Sequence, residues 1–130
     1  MDKIYNILLD DKKIGTTKLE YGDPPMGVVF GEISFIDIAT PYDFFKSYCE
    51  TNKITFTDYA DDKMICCAIP NLKVADDKGN EIRGLDGDVF ATNTYPSELT
   101  IFGIAYPFYE DEFPHHVKAY EERLNRLQNE

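Results

Sequence analysis

Lys3-Ile4-Tyr5-Asn6-Ile7-Leu8-Leu9-Asp10-Asp11-Lys12-Lys13-Ile14 is the stretch that decides the fold class. Side chains alternate across a strand, so Tyr5, Ile7 and Leu9 share one face and Ile4 and Leu8 the other. Apolar residues on both faces predict a central strand over 3–9. Asp10-Asp11-Lys12-Lys13 is a polar turn, and Ile14 to Tyr21 reads as the returning strand of an opening hairpin. A chain that opens this way and shows no helical period before residue 40 starts as an antiparallel sheet.

Tyr21-Gly22-Asp23-Pro24-Pro25-Met26-Gly27 comes next. Two prolines remove two backbone donors and force a stiff, extended crossing, so this is a connection. Val28 to Ile38 reads as a third strand, with Gly31 marking a bulge or a close approach. A helix start follows: Thr40 as N-cap, Pro41 in the first turn and Asp43 three residues on, as in a capping box. Phe44, Phe45, Tyr48 and Cys49 supply its apolar face and Asn52 its exit. Period two then returns. Strands are expected over Ile54-Thr55-Phe56-Thr57, Lys63 to Ile69, Leu72 to Ala75, Glu81 to Arg83, Val89 to Thr92 and Leu99 to Tyr106. Polar turns at 58–62, 76–80 and 86–88 separate them. Phe113, Val117, Tyr120, Leu124 and Leu127 recur at spacings of four and three, which predicts a C-terminal helix with its apolar stripe on the sheet. The same stripe would also suit a partner helix or a second copy in a homodimer. The expected architecture is a single α+β domain over 1–130. Its sheet is mostly antiparallel, with a short helix after the first three strands and a C-terminal helix packed on the sheet.

Charge is the most informative number for function. Asp and Glu number 24 against 13 Lys and Arg, a net charge of −11. Such a surface repels nucleic acid and anionic lipid, and it attracts basic proteins and speeds encounter with them. No run approaches the ~18 apolar residues of a membrane span, and the first residues lack the basic-then-apolar order of a secretory signal. Cys49, Cys66 and Cys67 form no zinc or redox spacing, and adjacent strand residues face opposite ways, so these read as free thiols of a cytoplasmic protein.

Catalysis finds little to stand on. No Ser or Cys sits in a Gly-flanked elbow, and nothing resembles H-E-x-x-H. His115 and His116 diverge by ~100° on a helix and do not share a metal easily. Asp76-Asp77-Lys78-Gly79 and Asp86-Gly87-Asp88 lack EF-hand spacing. No catalytic residue, metal ligand or cofactor is assigned, and the chain is read as a non-enzyme. Binding residues are expected where rings and acids mix: Asp58, Tyr59, Asp61 and Asp62 in one segment, and Tyr106, Phe108, Tyr109, Glu110, Asp111 and Glu112 in another. Rings anchor an interface while acids orient a cationic partner.

The block Leu19-Glu20-Tyr21-Gly22-Asp23-Pro24-Pro25-Met26-Gly27-Val28-Val29-Phe30-Gly31 resembles a motif of small uncharacterised bacterial proteins. These share a leading hairpin, an L-E-x-x-D-P-P-M-G-V block and a C-terminal segment like Tyr106-Pro107-Phe108. By size and charge the chain also resembles the immunity proteins of polymorphic or contact-dependent growth-inhibition toxin systems. That resemblance implies a cytoplasmic protein that neutralises a cognate toxin by binding it; no individual binding residue carries over. The alternative is a small ligand-binding domain or enzyme using the Asp23–Gly31 block and His116.

Overall fold

The computed structural model describes residues 3–128. In chain order these form strands β1 (Tyr5–Leu9), β2 (Lys12–Thr17), β3 (Tyr21–Asp23) and β4 (Val28–Phe35), then helix α1 (Pro41–Thr51). Strands β5 (Phe56–Tyr59), β6 (Met64–Cys67), β7 (Leu72–Ala75), β8 (Asp86–Thr92) and β9 (Glu98–Phe102) follow. Helices α2 (Phe108–Glu112) and α3 (Pro114–Gln128) close the chain. The fold is α+β, as the period pattern requires.

All strand pairs are antiparallel, in the order β5-β6-β8-β9-β4-β2-β1-β7, with β3 also on β4. The opening hairpin turns on Asp10 and Asp11, both at positive φ, as a two-residue loop demands. β1 is flanked on both sides, by β2 and β7, in keeping with its two apolar faces. The returning strand is broken at Lys18–Glu20, where Leu19 takes φ 46°, so β2 and β3 lie end to end along one edge of β4. Gly31 marks a close approach: a Cβ there would stand 2.7 Å from Thr17 Oγ1 and 2.9 Å from Leu19 Cα.

Several local expectations are corrected by tertiary contacts. Thr40 makes no side-chain cap for α1; Asn93 Oδ1, from the β8–β9 loop, accepts the Tyr42 N–H at 2.9 Å instead. Asp86-Gly87-Asp88 is not a turn: it opens β8, paired with Thr100 to Phe102 of β9. β9 ends at Phe102, so 103–106 is a connection, and it leads into α2 through a cis Tyr106–Pro107 bond. Phe113 lies between α2 and α3 and is fully buried. α3 packs on β3 with its first turns, where His116 is buried, while Leu124 and Leu127 near its end are exposed.

The two faces of the sheet differ. Val29 and Ile33 of β4, Val89 and Ala91 of β8, and Leu99 and Ile101 of β9 point inward and are buried. They meet Phe45 and Cys49 of α1 and Tyr109 and Phe113 beside α3, in one apolar cluster. Fully buried rings of this kind each remove roughly 1.5–3 kcal/mol worth of apolar surface from water. Both long helices lie on this inner side: α1 contacts β5, β6 and β8, and α3 contacts β3.

Candidate binding surface

The two segments expected to bind lie on different parts of the sheet. Asp58 and Tyr59 belong to β5, an edge strand, and Asp61 and Asp62 to the exposed 3-10 turn after it. Tyr106 to Glu112 pack instead against Pro24–Val28 and β1. The expected residues also divide by environment. Asp58 faces inward, where it accepts the Tyr42 hydroxyl at 2.7 Å and pairs with Lys46 at 3.3 Å. The Tyr42 hydrogen bond, helped by Lys46, holds the Asp58 carboxyl below its ordinary range. Asp58, though exposed, therefore also ties α1 to the sheet.

Tyr109 is a correction. It is fully buried, donates its hydroxyl to the Val28 carbonyl at 2.8 Å, and burial pushes its phenol up. Glu112 is half-buried and engaged within the fold: it accepts from the Tyr5 hydroxyl at 2.6 Å and from the Lys3 ammonium at 2.5 Å. Tyr59, Asp61, Asp62, Tyr106, Phe108, Glu110 and Asp111 are exposed. Tyr106 also donates to the Pro24 carbonyl at 2.9 Å.

These bonds account for the Asp-Pro-Pro-Met-Gly block. Pro24–Met26 form a 3-10 turn closed by Gly27 at φ 64°, and a Cβ at Gly27 would stand 2.6 Å from the Ile104 carbonyl oxygen. Ile104 N–H bonds to the Gly27 oxygen at 2.9 Å. So the two segments singled out by resemblance, Asp23–Val28 and Tyr106–Phe108, are one packed unit. His116 joins it from α3. Its Nε2 sits 2.8 Å from the Leu19 carbonyl, which can only accept, so Nε2 carries the proton. Burial lowers the His116 pKa, with a smaller push from His115, and the Leu19 bond opposes the change. A neutral, satisfied imidazole stacked on Phe113 is a packing element here.

The surface that sequence reading missed is the outer face of the sheet. Register places its side chains in rows. One row runs Thr57, Cys66, Phe90, Glu98, Glu32 across β5, β6, β8, β9 and β4. The next runs Asp88, Thr100, Phe30, Tyr21, with Tyr21 stacked on Phe30 at 5.1 Å. Asp86 lies opposite Phe102, and Tyr59 opposite Met64, on the same face. Five charged residues occupy outward positions of these six strands: Asp23, Glu32, Asp86, Asp88 and Glu98. All are acids. Burial, then the neighbouring Asp86, pushes the Asp88 carboxyl up, and burial with Asp88 nearby does the same to the Cys66 thiol.

Comparison with protein families, with curated proteins and with solved structures finds no match to this chain. Among the described residues, no three His, Cys, Asp or Glu side chains converge to hold a metal ion. No helix among them is long and apolar enough to cross a membrane. A polar cleft of ≈ 460 Å³ between Lys3, Lys18, Glu20, Asp111 and His115 shares Tyr5 and Glu112 with the bonds already described. A signal for the outer face did exist in the sequence. Val28-Val29-Phe30 and Ile101-Phe102 carry apolar residues on both faces, yet two long helices cover only one.

Proposed function

We propose that this chain is a cytoplasmic immunity protein that binds and neutralises a basic cognate toxin. The observation that supports this most is the sign of the outer face: every charged side chain at an outward position of the six strands is a carboxylate, interleaved with Phe and Tyr rings. A net charge of −11 extends the same field over the molecule, and such a field raises the rate of encounter with a cationic surface. No catalytic role is needed, because masking a toxin's active surface is a matter of occupancy.

The test is capture of a basic partner from lysate, co-expression of that partner with this chain, and association measured at two salt concentrations. Growth should be restored by the wild-type chain, and association should slow by roughly tenfold or more from low to physiological salt. Charge reversal of the exposed Asp61, Asp62 and Asp111 should slow it further. Glu112 is left intact because its reversal would disturb Lys3 and Tyr5. A salt-independent rate, or no protection, would remove the reading.

A further inference from the structure

We propose that the outer face of the sheet is a docking surface for an arginine-bearing protein surface, centred on the facing carboxylates of Glu32 and Glu98. The inference rests on the immunity reading for the partner being a basic protein, and adds where it sits and which cation it presents.

Three observations converge on that face. First, Glu32 and Glu98 are direct partners across β4 and β9. Like charges so placed repel at Cβ separations of about 4.5–5.5 Å, and no Lys or Arg stands at an outward position of these strands to relieve them. A cross-strand pair of acids on a face whose strands present no outward cation is complementary to a cation brought from outside. Second, rings flank the pair. Phe90 is the cross-strand partner of Glu98, and Phe30 lies two residues before Glu32 on the same face, backed by Tyr21. Third, α1 and α3 both pack on the opposite side, so this face has no cover from either long helix.

The combination selects arginine over lysine. A guanidinium is planar, donates two parallel hydrogen bonds to a carboxylate, and stacks on an aromatic face while it does so. An ammonium is more strongly hydrated and has no plane to lay on Phe30 or Phe90. The face also selects a macromolecule. Its acids and rings are spread along two rows across six strands, wider than a single small cation spans, while the carboxylates repel phosphate-bearing partners.

The experiment is an NMR titration of the full chain with an alternating Arg-Gly dodecapeptide and with its Lys-Gly counterpart. The arginine peptide should shift amides of β3, β4, β8 and β9, and bind ~fivefold or more tighter than the lysine peptide. Glu32→Gln with Glu98→Gln should weaken arginine-peptide binding by ~tenfold and erase the preference. Asp61→Asn with Asp62→Asn should stay within ~twofold. Spectral dispersion of each variant reports whether it is folded. Equal affinity for the two peptides, no binding of either, shifts centred on 58–62 or 106–112, or a folded double variant that binds like wild type would each overturn the proposal. The two readings separate cleanly. A toxin partner held equally by wild type and by the Glu32, Glu98 double variant would keep the immunity function and remove this face from it. Arginine-selective binding with no protection against a toxin would keep the face and remove the function.

Discussion

β4 carries two chemistries in eight residues. Its inward positions, Val29, Gly31 and Ile33, are buried, while Phe30 and Glu32 look out from the same backbone to a face that neither long helix covers. Both faces hold large apolar groups, so hydrophobicity alone does not tell them apart. What differs is cover and charge. The inner face meets Phe45, Tyr109 and Phe113, and its polar groups are paired, as Asp58 is with Tyr42 and His116 with Leu19. The outer face pairs two acids, Glu32 and Glu98, across β4 and β9. An inner face so arranged serves stability; an outer face with like charges on neighbouring strands gives up some of it, which is where the proposed docking surface lies.

The sharpest way to break this comparison is a pair of truncations. Phe45→Ala, on the fully buried α1 ring, should cost ~3–5 kcal/mol in urea unfolding. Phe90→Ala, on the half-buried outer row, should cost no more than ~1 kcal/mol, the size of a cross-strand pair. Equal losses would mean that the outer face is as closed as the inner one.

A smaller effect tests the inner face by pH. His116→Ala leaves the Leu19 carbonyl without its donor and should cost about 1–3 kcal/mol at pH 7.5. The folded-state pKa of His116 lies below its unfolded value, so the unfolded chain binds the extra proton. The stability that neutral His116 contributes is therefore complete above the unfolded value, ~6.5, and is lost as pH falls through that value toward the lower folded pKa. The gap between wild type and His116→Ala should narrow from pH 7.5 to 5.5. A gap that widens on acidification would show that His116 is held as the cation.

The smallest effect has the opposite sign. Replacing Glu32 and Glu98 together by Gln removes the like-charge pair and should raise stability by ~0.2–1 kcal/mol at low salt, a gain that shrinks as salt screens the exposed carboxylates. A loss of stability instead would show that the pair is compensated within the fold.

Much of the inner architecture was legible in local pattern. The alternation of Tyr5, Ile7 and Leu9, the Asp10-Asp11 turn and the Pro41 start of α1 are short-range features whose chemistry acts on neighbouring residues. The candidate surface was legible only in part. Tyr109 looked like an interface ring because acids follow it, yet its hydroxyl is claimed by Val28, 81 residues away in sequence. Thr40 looked like a cap, but the free N–H of Tyr42 found Asn93 across 51 residues. Asp86-Gly87-Asp88 carries turn composition and still pairs with β9, because a strand's partner, not its own propensity, decides whether it is one.

By itself the sequence determined which residues alternate, that a helix starts at Pro41, and that the molecule is strongly acidic, since each follows from covalent order and composition. Which face of each strand is covered was decided only in the tertiary structure. Alternation names two faces without saying which one a distant helix will occupy. The pairing of Glu32 with Glu98 was decided there too: two strands separated by more than sixty residues of chain set their register through long-range hydrogen bonds that no local pattern encodes.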